Sequence, residues 1–223
     1  MKPNRNRGGV FISVEGPDGA GKTTQLQMLQ DKLEEHGLEA VMTREPGGTV
    51  IGEQIRKILL DPKFTEMTVI CEVLLYSAAR AQLVAEVIRP ALLSGQVVLC
   101  DRFVDSSTVY QGYAGAEDPG RIKEINLWAV GGLLPDRTIL LNIDAEAGLD
   151  RLRKKRQGPA PAGDRMEQKA LAFHRRVQEG FLQLASQEAD RFCIIDAAQD
   201  LQAVHRSIWE DVRPLLQERA LIT

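Results

Sequence analysis

The feature that most constrains this chain is a glycine-rich segment of eight residues near its start. It reads Gly16-Pro17-Asp18-Gly19-Ala20-Gly21-Lys22-Thr23 and matches the pattern G-x-x-x-x-G-K-[ST] in full. An apolar run over 10–14 precedes it and predicts a buried strand. The segment 23–36 repeats leucines at helical spacing and ends at Gly37, which predicts a helix. Strand, glycine loop and helix are the context in which this motif binds phosphate, whereas a chance match elsewhere would carry no function.

The residue types of this loop suit a bound phosphate chain. Glycines let successive backbone N–H groups wrap an anion, and the helix N-terminus adds partial positive charge. Lys22 is expected to reach the outer phosphates, and the hydroxyl of Thr23 is expected to ligate Mg²⁺.

Composition favours one domain and a small anionic ligand. With 223 residues, 43% of them hydrophobic, the chain is long enough for one sizeable core, so we expect a single domain over 1–223. A formal net charge of −3 gives no global basic field, which argues against nucleic acid as a partner.

The cysteines and the N-terminal segment indicate the cellular compartment of the protein. Cys71, Cys100 and Cys193 lie far apart, and two of them sit in apolar runs, which favours reduced cysteines over disulfides or a metal site. The basic N-terminal segment leads into only five apolar residues, too few for a secretory core or a membrane span. We therefore expect a cytoplasmic protein without a membrane partner.

Five short β-branched runs alternate with longer helical patterns. The predicted strands are 10–15, 39–43, 97–101, 138–143 and 192–196. The predicted helices are 23–36, 51–60, 69–93, 121–130, 146–156, 165–187 and 200–219. This rhythm predicts a doubly wound α/β fold, a three-layer α/β/α arrangement in which helices surround a five-stranded parallel sheet. Together with the glycine loop, it predicts a fold of the P-loop NTPase type. Ligands should gather at the carboxyl ends of the strands.

The stretch 151–165 departs from that rhythm. Five cations, Arg151, Arg153, Lys154, Lys155 and Arg156, precede a loop rich in glycine and proline. Basic charge beside such hinges predicts a mobile lid that closes over phosphates. The alternative is a solvated helix end whose cations interact favourably with the helix dipole.

Two polar clusters follow predicted strands. After the second strand, a Pro-Gly-Gly turn leaves Arg44 and Glu45 at the edge of the crevice, and Arg56 follows on the next helix as either a surface charge or a phosphate clamp. The third strand ends in Asp101 and Arg102. An acid at this sheet edge is placed to hold Mg²⁺ through water, and the rigid fork of an arginine suits a phosphate, although the pair could simply cap the strand.

Two further groups suit a base and a sugar. The segment 105–113 combines hydroxyls, an amide and two tyrosines, which supply stacking surface and directional hydrogen bonds. Tyr76 and Arg80 are four residues apart on one predicted helix and so share a face, although ordinary packing would explain them as well. His36, His174 and His205 have no partner at ligand or triad spacing, and we assign them no chemistry.

Taken together, these residues resemble the thymidylate kinase family of the bacterial type over nearly the whole chain. The phosphate loop is shared by many families, whereas 43–49 and the stretch from Asp101-Arg102-Phe103 to Tyr110-Gln111-Gly112-Tyr113 are more specific. The resemblance implies ATP- and Mg²⁺-dependent phosphorylation of dTMP to dTDP, usually by a homodimer. It implies direct in-line transfer, without a covalent intermediate.

The resemblance also implies roles for individual residues. The ATP site would comprise Gly16, Pro17, Asp18, Gly19, Ala20, Gly21, Lys22, Thr23 and Thr24. The dTMP site would comprise Glu45, Arg56, Tyr76, Arg80, Arg102, Ser106, Ser107, Tyr110 and Gln111. Within it, Arg56 and Arg102 would hold the phosphate. Tyr76 would stack on thymine, while Arg80, Ser107 and Gln111 would read its edge. Tyr110 would lie against the deoxyribose, and Thr23 and Asp101 would form the metal site.

The expected catalytic residues are Lys22, Arg102, Asp18, Arg153 and Arg156. Some members of the family carry an arginine inside the phosphate loop, but positions 17–20 here are not cationic, so the lid should supply that charge. Which lid arginine does so is left open between Arg153, Arg156 and Arg165, with the first two favoured. Phe103 stands where the family usually has Tyr, and the lid is longer than usual.

Two other functions remain open from the residues alone. A deoxynucleoside kinase would accept a nucleoside without phosphate, which the arginines at 56 and 102 argue against. A non-catalytic nucleotide switch would bind without turnover, but the guanine-selecting N-K-x-D is not found, and Arg102 stands where motor and transporter ATPases carry a catalytic acid.

Overall fold

A computed structural model describes residues 8–155 and 163–222. Its centre is a sheet of five parallel strands: β1 Val10–Glu15, β2 Ala40–Arg44, β3 Val97–Asp101, β4 Arg137–Asn142 and β5 Phe192–Asp196. The strand order β2-β3-β1-β4-β5 puts β1 in the middle, paired with β3 on one side and β4 on the other. The five predicted strands are confirmed, each within one residue of its predicted bounds.

Helices cover both faces of this sheet. They are α1 Lys22–Glu35, α2 Val50–Leu60, α3 Val69–Leu83, α4 Arg89–Leu93, α5 Val104–Ser107, α6 Pro119–Ala129, α7 Ala145–Lys155, α8 Leu171–Gln187 and α9 Leu201–Glu218. A π-helical segment, Val84–Ile88, joins α3 to α4, and a second, Thr108–Tyr113, continues α5. Within the described ranges, no helix is both long and apolar enough to cross a membrane.

The core is divided by the sheet because successive side chains of a strand point to opposite faces. Ile12 of β1 packs with residues of α1 and α9, including Leu26 and Ile208. Its neighbour Phe11 packs on the other face, with Leu83 among others. All five side chains are fully buried. The predicted three-layer α/β/α fold is therefore confirmed.

Glycine is required at two positions of the loop between β1 and α1. Gly16 and Gly19 have φ of 139° and 79°, backbone conformations that other residues rarely adopt. A Cβ at Gly16 would lie 2.4 Å from the carbonyl oxygen of Leu141, and one at Gly19 would lie 2.0 Å from that of Gly148. Larger residues would push the loop away from β4 and α7, so these close approaches fix its position.

One helix was predicted with the wrong start, and one helical segment was not predicted. The helix predicted from 165 begins at Leu171, because the Asp164 carboxylate accepts hydrogen bonds from the backbone N–H groups of Met166 and Glu167 and closes a turn there. The segment 104–113, for which no helix was predicted, is helical throughout.

Tertiary contacts explain the helix over 104–113. Its serines, threonine and aspartate favour turns and caps over helix interiors. In the structure, however, the buried carboxylate of Asp105 receives a two-pronged hydrogen bond from Arg191, which lies just before β5, at 2.7 and 2.8 Å. The Thr108 hydroxyl donates back to the carbonyl of Val104 at 3.1 Å. The contact with Arg191, which is 86 positions away from Asp105 in the chain, cannot be inferred from local propensity.

Candidate active site

A cavity of about 430 Å³ opens at the carboxyl ends of β1, β2 and β3. It is lined by most of the residues that the sequence predicted to bind nucleotide. These are Asp18, Gly19, Gly21, Lys22, Thr23, Thr24, Glu45, Arg56, Tyr76, Arg80, Asp101, Arg102, Ser106, Ser107, Tyr110 and Gln111. The strand order causes this convergence, since β1 and β3 are neighbours and their following loops meet at one edge.

Lys22 lies folded onto the phosphate loop. Its ammonium donates hydrogen bonds to the carbonyl oxygens of Gly16 at 3.0 Å and Pro17 at 2.9 Å. Burial, followed by the nearby positive charge of Arg102, lowers the pKa of Lys22 to about 8. The negative charge of a bound polyphosphate would favour the charged form of Lys22 and raise its pKa again.

Thr23, in the first turn of α1, contacts Asp101 at the end of β3. The Thr23 hydroxyl donates to the Asp101 carboxylate at 2.7 Å, and both residues line the cavity beside Lys22. Within the described residues, no group of three or more His, Cys, Asp or Glu side chains could hold a metal ion by itself. Mg²⁺ is nevertheless commonly held by one or two protein oxygens together with water and substrate phosphates. This hydroxyl–carboxylate pair fits that kind of site.

Arg102 occupies a left-handed conformation, with φ of 69°, directly after β3. Two hydrogen bonds hold the turn: Arg102 N–H donates to the Val14 carbonyl at 3.0 Å, and Phe103 N–H donates to a carboxylate oxygen of Glu15 at 2.6 Å. Glu15 is fully buried, and burial, reinforced by Asp105, raises its pKa to about 8. The conformation turns the arginine from the sheet edge into the cavity.

The guanidinium of Arg102 is held by several groups at once. It donates to Asp18 at 2.5 Å, to the Ser106 hydroxyl at 3.0 Å and to the Tyr110 hydroxyl at 3.2 Å. The Tyr110 hydroxyl in turn donates to Asp18 at 3.1 Å. Burial by itself would raise the pKa of Asp18, but Arg102 and Lys22 outweigh it, so the pKa of this carboxyl lies below its usual value. Asp18 therefore stays ionised near neutral pH.

Arg80 and Glu45 form an ion pair that is almost completely buried. The Arg80 guanidinium contacts one Glu45 carboxylate oxygen at 2.6 and 2.8 Å. It also donates to the Ser107 hydroxyl at 2.8 Å and to Asn126 at 2.5 Å. The sequence offered packing of a partly exposed arginine as the alternative here. Arg80 is instead 1% exposed and fixed from both terminal nitrogens.

Three other predicted residues complete the wall. Arg56 donates to the Pro46 carbonyl at 2.7 Å, so it faces the cavity from α2. Tyr76 lines the cavity one helical turn before Arg80, and burial raises the pKa of its hydroxyl well above the usual value. Gln111 lines it from the π-helical segment and donates to Glu72.

Only part of the predicted lid lies within the described residues. Arg153 is on α7 but lies outside the cavity, since its side chain is 75% exposed and pairs with Asp150 at 3.0 Å. Arg151, two residues earlier, lines the cavity and donates to the Ala197 carbonyl at 2.9 Å. Arg156 lies outside the described residues, as does most of the predicted hinge.

Sequence reasoning missed three residues that line the cavity, Leu60, Met166 and Glu167, and included three others, Arg151, Leu152 and Asp164, only as part of the predicted lid. Asp164 and Glu167 follow the Gly/Pro-rich stretch directly, and two acids in that place were the available signal.

Phe103, which stands where the family usually has Tyr, is a core residue. It is fully buried and packs edge to face against Phe11, with 4.9 Å between ring centroids. Its backbone carbonyl accepts a hydrogen bond from Arg80 at 3.3 Å. The ring thus packs in the core, and the backbone of this residue supports the cavity wall.

Comparison with known proteins agrees with this geometry. A sequence model of the family described as thymidylate kinase matches residues 14–208. The thymidylate kinase of Exiguobacterium sibiricum is 48% identical over 211 residues, covering 95% of this chain and 97% of that protein. That of Halothermothrix orenii is 47% identical over 208 residues, covering 93% and 98%. A crystal structure of thymidylate kinase from Ehrlichia chaffeensis superposes with a TM-score of 0.73 at 30% identity, covering 92% of this chain and 98% of that one.

The family match spans most of the chain, including the phosphate loop, the Asp101-Arg102 corner and the helical segment 104–113, and the relatives are matched over almost their full length. This chain therefore belongs to the thymidylate kinase family.

Proposed function

We propose that this enzyme transfers the γ-phosphoryl group of ATP to dTMP, giving ADP and dTDP for dTTP biosynthesis. The observation that carries the proposal is one cavity in which a glycine-rich loop, a lysine, two cavity-facing arginines and an aromatic ring come together. The names of the relatives supply the choice of nucleotide, since their printed description is thymidylate kinase.

The proposed mechanism follows from charge. Donor and acceptor bring several negative charges into one cavity, so catalysis consists of holding them in line and neutralising the charge that develops on the transferred group. Lys22 would move from the loop carbonyls to the outer phosphates of ATP. Arg56 and Arg102 would hold the acceptor phosphate, with Asp18 orienting the Arg102 guanidinium.

Mg²⁺ would be held by Thr23 and Asp101 together with phosphate oxygens. When bound, it would screen the phosphate charges. The support for this site is the 2.7 Å contact between the two side chains and their position beside Lys22.

The base and sugar contacts belong to the same proposal. Tyr76 would stack on thymine, and Arg80, Ser107 and Gln111 would read its edge. Tyr110 would lie against the deoxyribose and disfavour a 2′-hydroxyl. Their support is the rigidity of this wall, in which Arg80 is fixed by Glu45 and Ser107 on one side of the cavity.

The source of the lid charge stays a prediction. We keep Arg153 and Arg156 as the predicted catalytic cations. Arg153 would have to leave Asp150 and turn toward the cavity, a rearrangement that lid closure on bound phosphates could drive. Arg151, which already lines the cavity, competes with them for this role.

The proposal extends to a cytoplasmic homodimer. Exposed apolar side chains lie at helical spacing on α2, at Val50, Ile51 and Ile58, and on α3, at Ile70 and Leu74. Because α2 and α3 pack against each other, this surface suits a second copy of the chain. All three cysteines are free, which suits a reducing compartment.

A coupled assay tests the function. Purified protein with ATP and Mg²⁺ should turn over dTMP, and no turnover is expected with AMP or CMP. Turnover of AMP or CMP with dTMP inert would overturn the proposal, and ATP binding without turnover of any monophosphate would favour a nucleotide switch.

A further inference from the structure

The side chain of Gln111 is held asymmetrically in the cavity wall. Its amide nitrogen donates to a carboxylate oxygen of Glu72 at 2.5 Å. Its amide oxygen is buried and has no hydrogen-bond partner. Since Gln111 lines the cavity, that oxygen is the atom left to pair with a ligand. A buried acceptor without a partner is costly, so a ligand that donates to it is favoured.

The orientation of this amide is imposed by Glu72. A carboxylate can only accept hydrogen bonds, so a reversed amide would place oxygen against oxygen. Glu72 is itself buried and forms an ion pair with Arg165. Arg165 also donates from Nε to the Leu59 carbonyl at 3.0 Å, which anchors the pair to the end of α2.

We propose that Glu72 is a specificity-determining positioning residue, which acts through Gln111 and rests on the proposed function. By holding the Gln111 oxygen as the unpaired atom, it selects pyrimidines that carry a hydrogen at N3, namely thymine and uracil. Cytosine has a lone pair at N3, so its N3 and the Gln111 oxygen would both be acceptors and could not form a hydrogen bond. An amide free to turn over would serve either base, so the selectivity depends on the carboxylate and not on the glutamine alone.

The variant that tests this is Glu72→Gln. An amide at position 72 can donate as well as accept, so Gln111 becomes free to reverse and present its nitrogen to the ligand. We measure kcat/KM for dUMP and dCMP, which both lack the methyl group. The expected result is at least a tenfold fall in the dUMP:dCMP ratio. Arg80, which would face position 4 of the base, is the same in both enzymes, so its contribution cancels when the ratios are compared.

The matched control is Glu86→Gln, the same substitution at an exposed glutamate in the π-helical segment that continues α3. Its ratio should equal that of the wild type. If Glu72→Gln lowers kcat/KM for dUMP and dCMP by the same factor, or changes neither, Glu72 is merely structural and the inference is wrong.

A second variant covers the case in which Glu72→Gln does not fold. Gln111→Met removes the amide without adding a charge and should also lower the dUMP:dCMP ratio, whereas an unchanged ratio would overturn the inference. In the double variant, the ratio should equal that of Gln111→Met alone, because Glu72 acts through Gln111. Additive effects would contradict that route.

Calorimetric Kd values for dUMP and dCMP give a readout independent of turnover. The wild type could bind dUMP better than dCMP and yet phosphorylate neither dUMP nor dTMP. That result would reject the proposed function. The inference would then be decided by the dUMP:dCMP Kd ratios of the same variants. Equal Kd values in the wild type would reject the inference even if dTMP is phosphorylated.

Discussion

The guanidinium of Arg102 lies 2.5 Å from the carboxylate of Asp18, joining the corner after β3 to the phosphate loop after β1. The two side chains are mostly buried, and the Tyr110 hydroxyl bonds to both. The backbone of Arg102 is in the left-handed conformation, and its guanidinium is already held in place. The side chain would therefore lose little conformational freedom on binding a phosphate. This side of the cavity is thus organised before any ligand binds.

Replacing that arginine should separate two kinds of kinase. We expect Arg102→Ala to lower kcat/KM for dTMP by about 10²- to 10³-fold, because a preorganised donor to the phosphate is lost. Steady-state kinetics would measure this, with Arg175→Ala, which removes an exposed arginine paired with Glu146, as the control. A deoxynucleoside kinase would behave differently, since its activity on thymidine would survive Arg102→Ala.

Lys22→Ala should abolish phosphoryl transfer while the fold survives. The lysine donates to backbone carbonyls and is buried, so its loss removes charge stabilisation of the transferred group without opening the core. We expect kcat to fall by about 10²- to 10³-fold or more. Circular dichroism and thermal melting should match the wild type. Retained turnover in the variant would contradict the role given to Lys22.

ATP binding should take up protons above pH 8. The pKa of Lys22 is lowered to about 8 by burial and by Arg102, so at pH 8.5 this amine is largely neutral in the free enzyme. A triphosphate beside it favours the charged form and raises the pKa, so binding takes up part of a proton and weakens as the pH rises through 8.

Calorimetry in two buffers of different ionisation enthalpy at pH 8.5 would measure that uptake. In Lys22→Ala the uptake should disappear. Equal binding enthalpies in both buffers for the wild type would show that the amine does not change its charge.

The buried pair of Arg80 and Glu45 should be important for stability as well as for the site. Glu45→Ala would leave the Arg80 guanidinium buried without its charge partner, and we expect the free energy of unfolding to fall by about 3–5 kcal/mol. The exposed pair of Arg175 and Glu146 provides the comparison, since Glu146→Ala should change it by about 1 kcal/mol or less. Urea denaturation measures both, and equal losses would contradict the difference in burial.

Most of the fold was predictable because its signals are local. The strands are apolar runs that need no partner to be recognised, and the glycine loop has a spacing that matches one backbone conformation. The helix over 104–113 was missed because its stability comes from Arg191, 86 positions away from Asp105 in the chain. Helix α8 begins late for a different, local reason, because Asp164 closes a turn with its own neighbours and the apolar spacing did not reveal it.

For the candidate site, the residue types were predictable and the partners were not. The sequence placed Arg80 on the same helical face as Tyr76, but burial against Glu45 depends on how α3 packs over the end of β2. It gave no reason to examine Glu72, whose significance depends on a contact with Gln111 from another element. Among the lid residues, the sequence favoured Arg153, but the register of α7 turns Arg151 to the cavity instead.

The sequence by itself determined the order of strands and helices, the phosphate loop and the kinds of charge that surround it, because these depend on spacing along the chain. The tertiary structure alone decided which charges face one another. Burial and hydrogen bonding depend on distances across the sheet, so the pairing of Arg102 with Asp18, the fixed amide of Gln111 and the lowered pKa of Lys22 appear only when the strand ends meet.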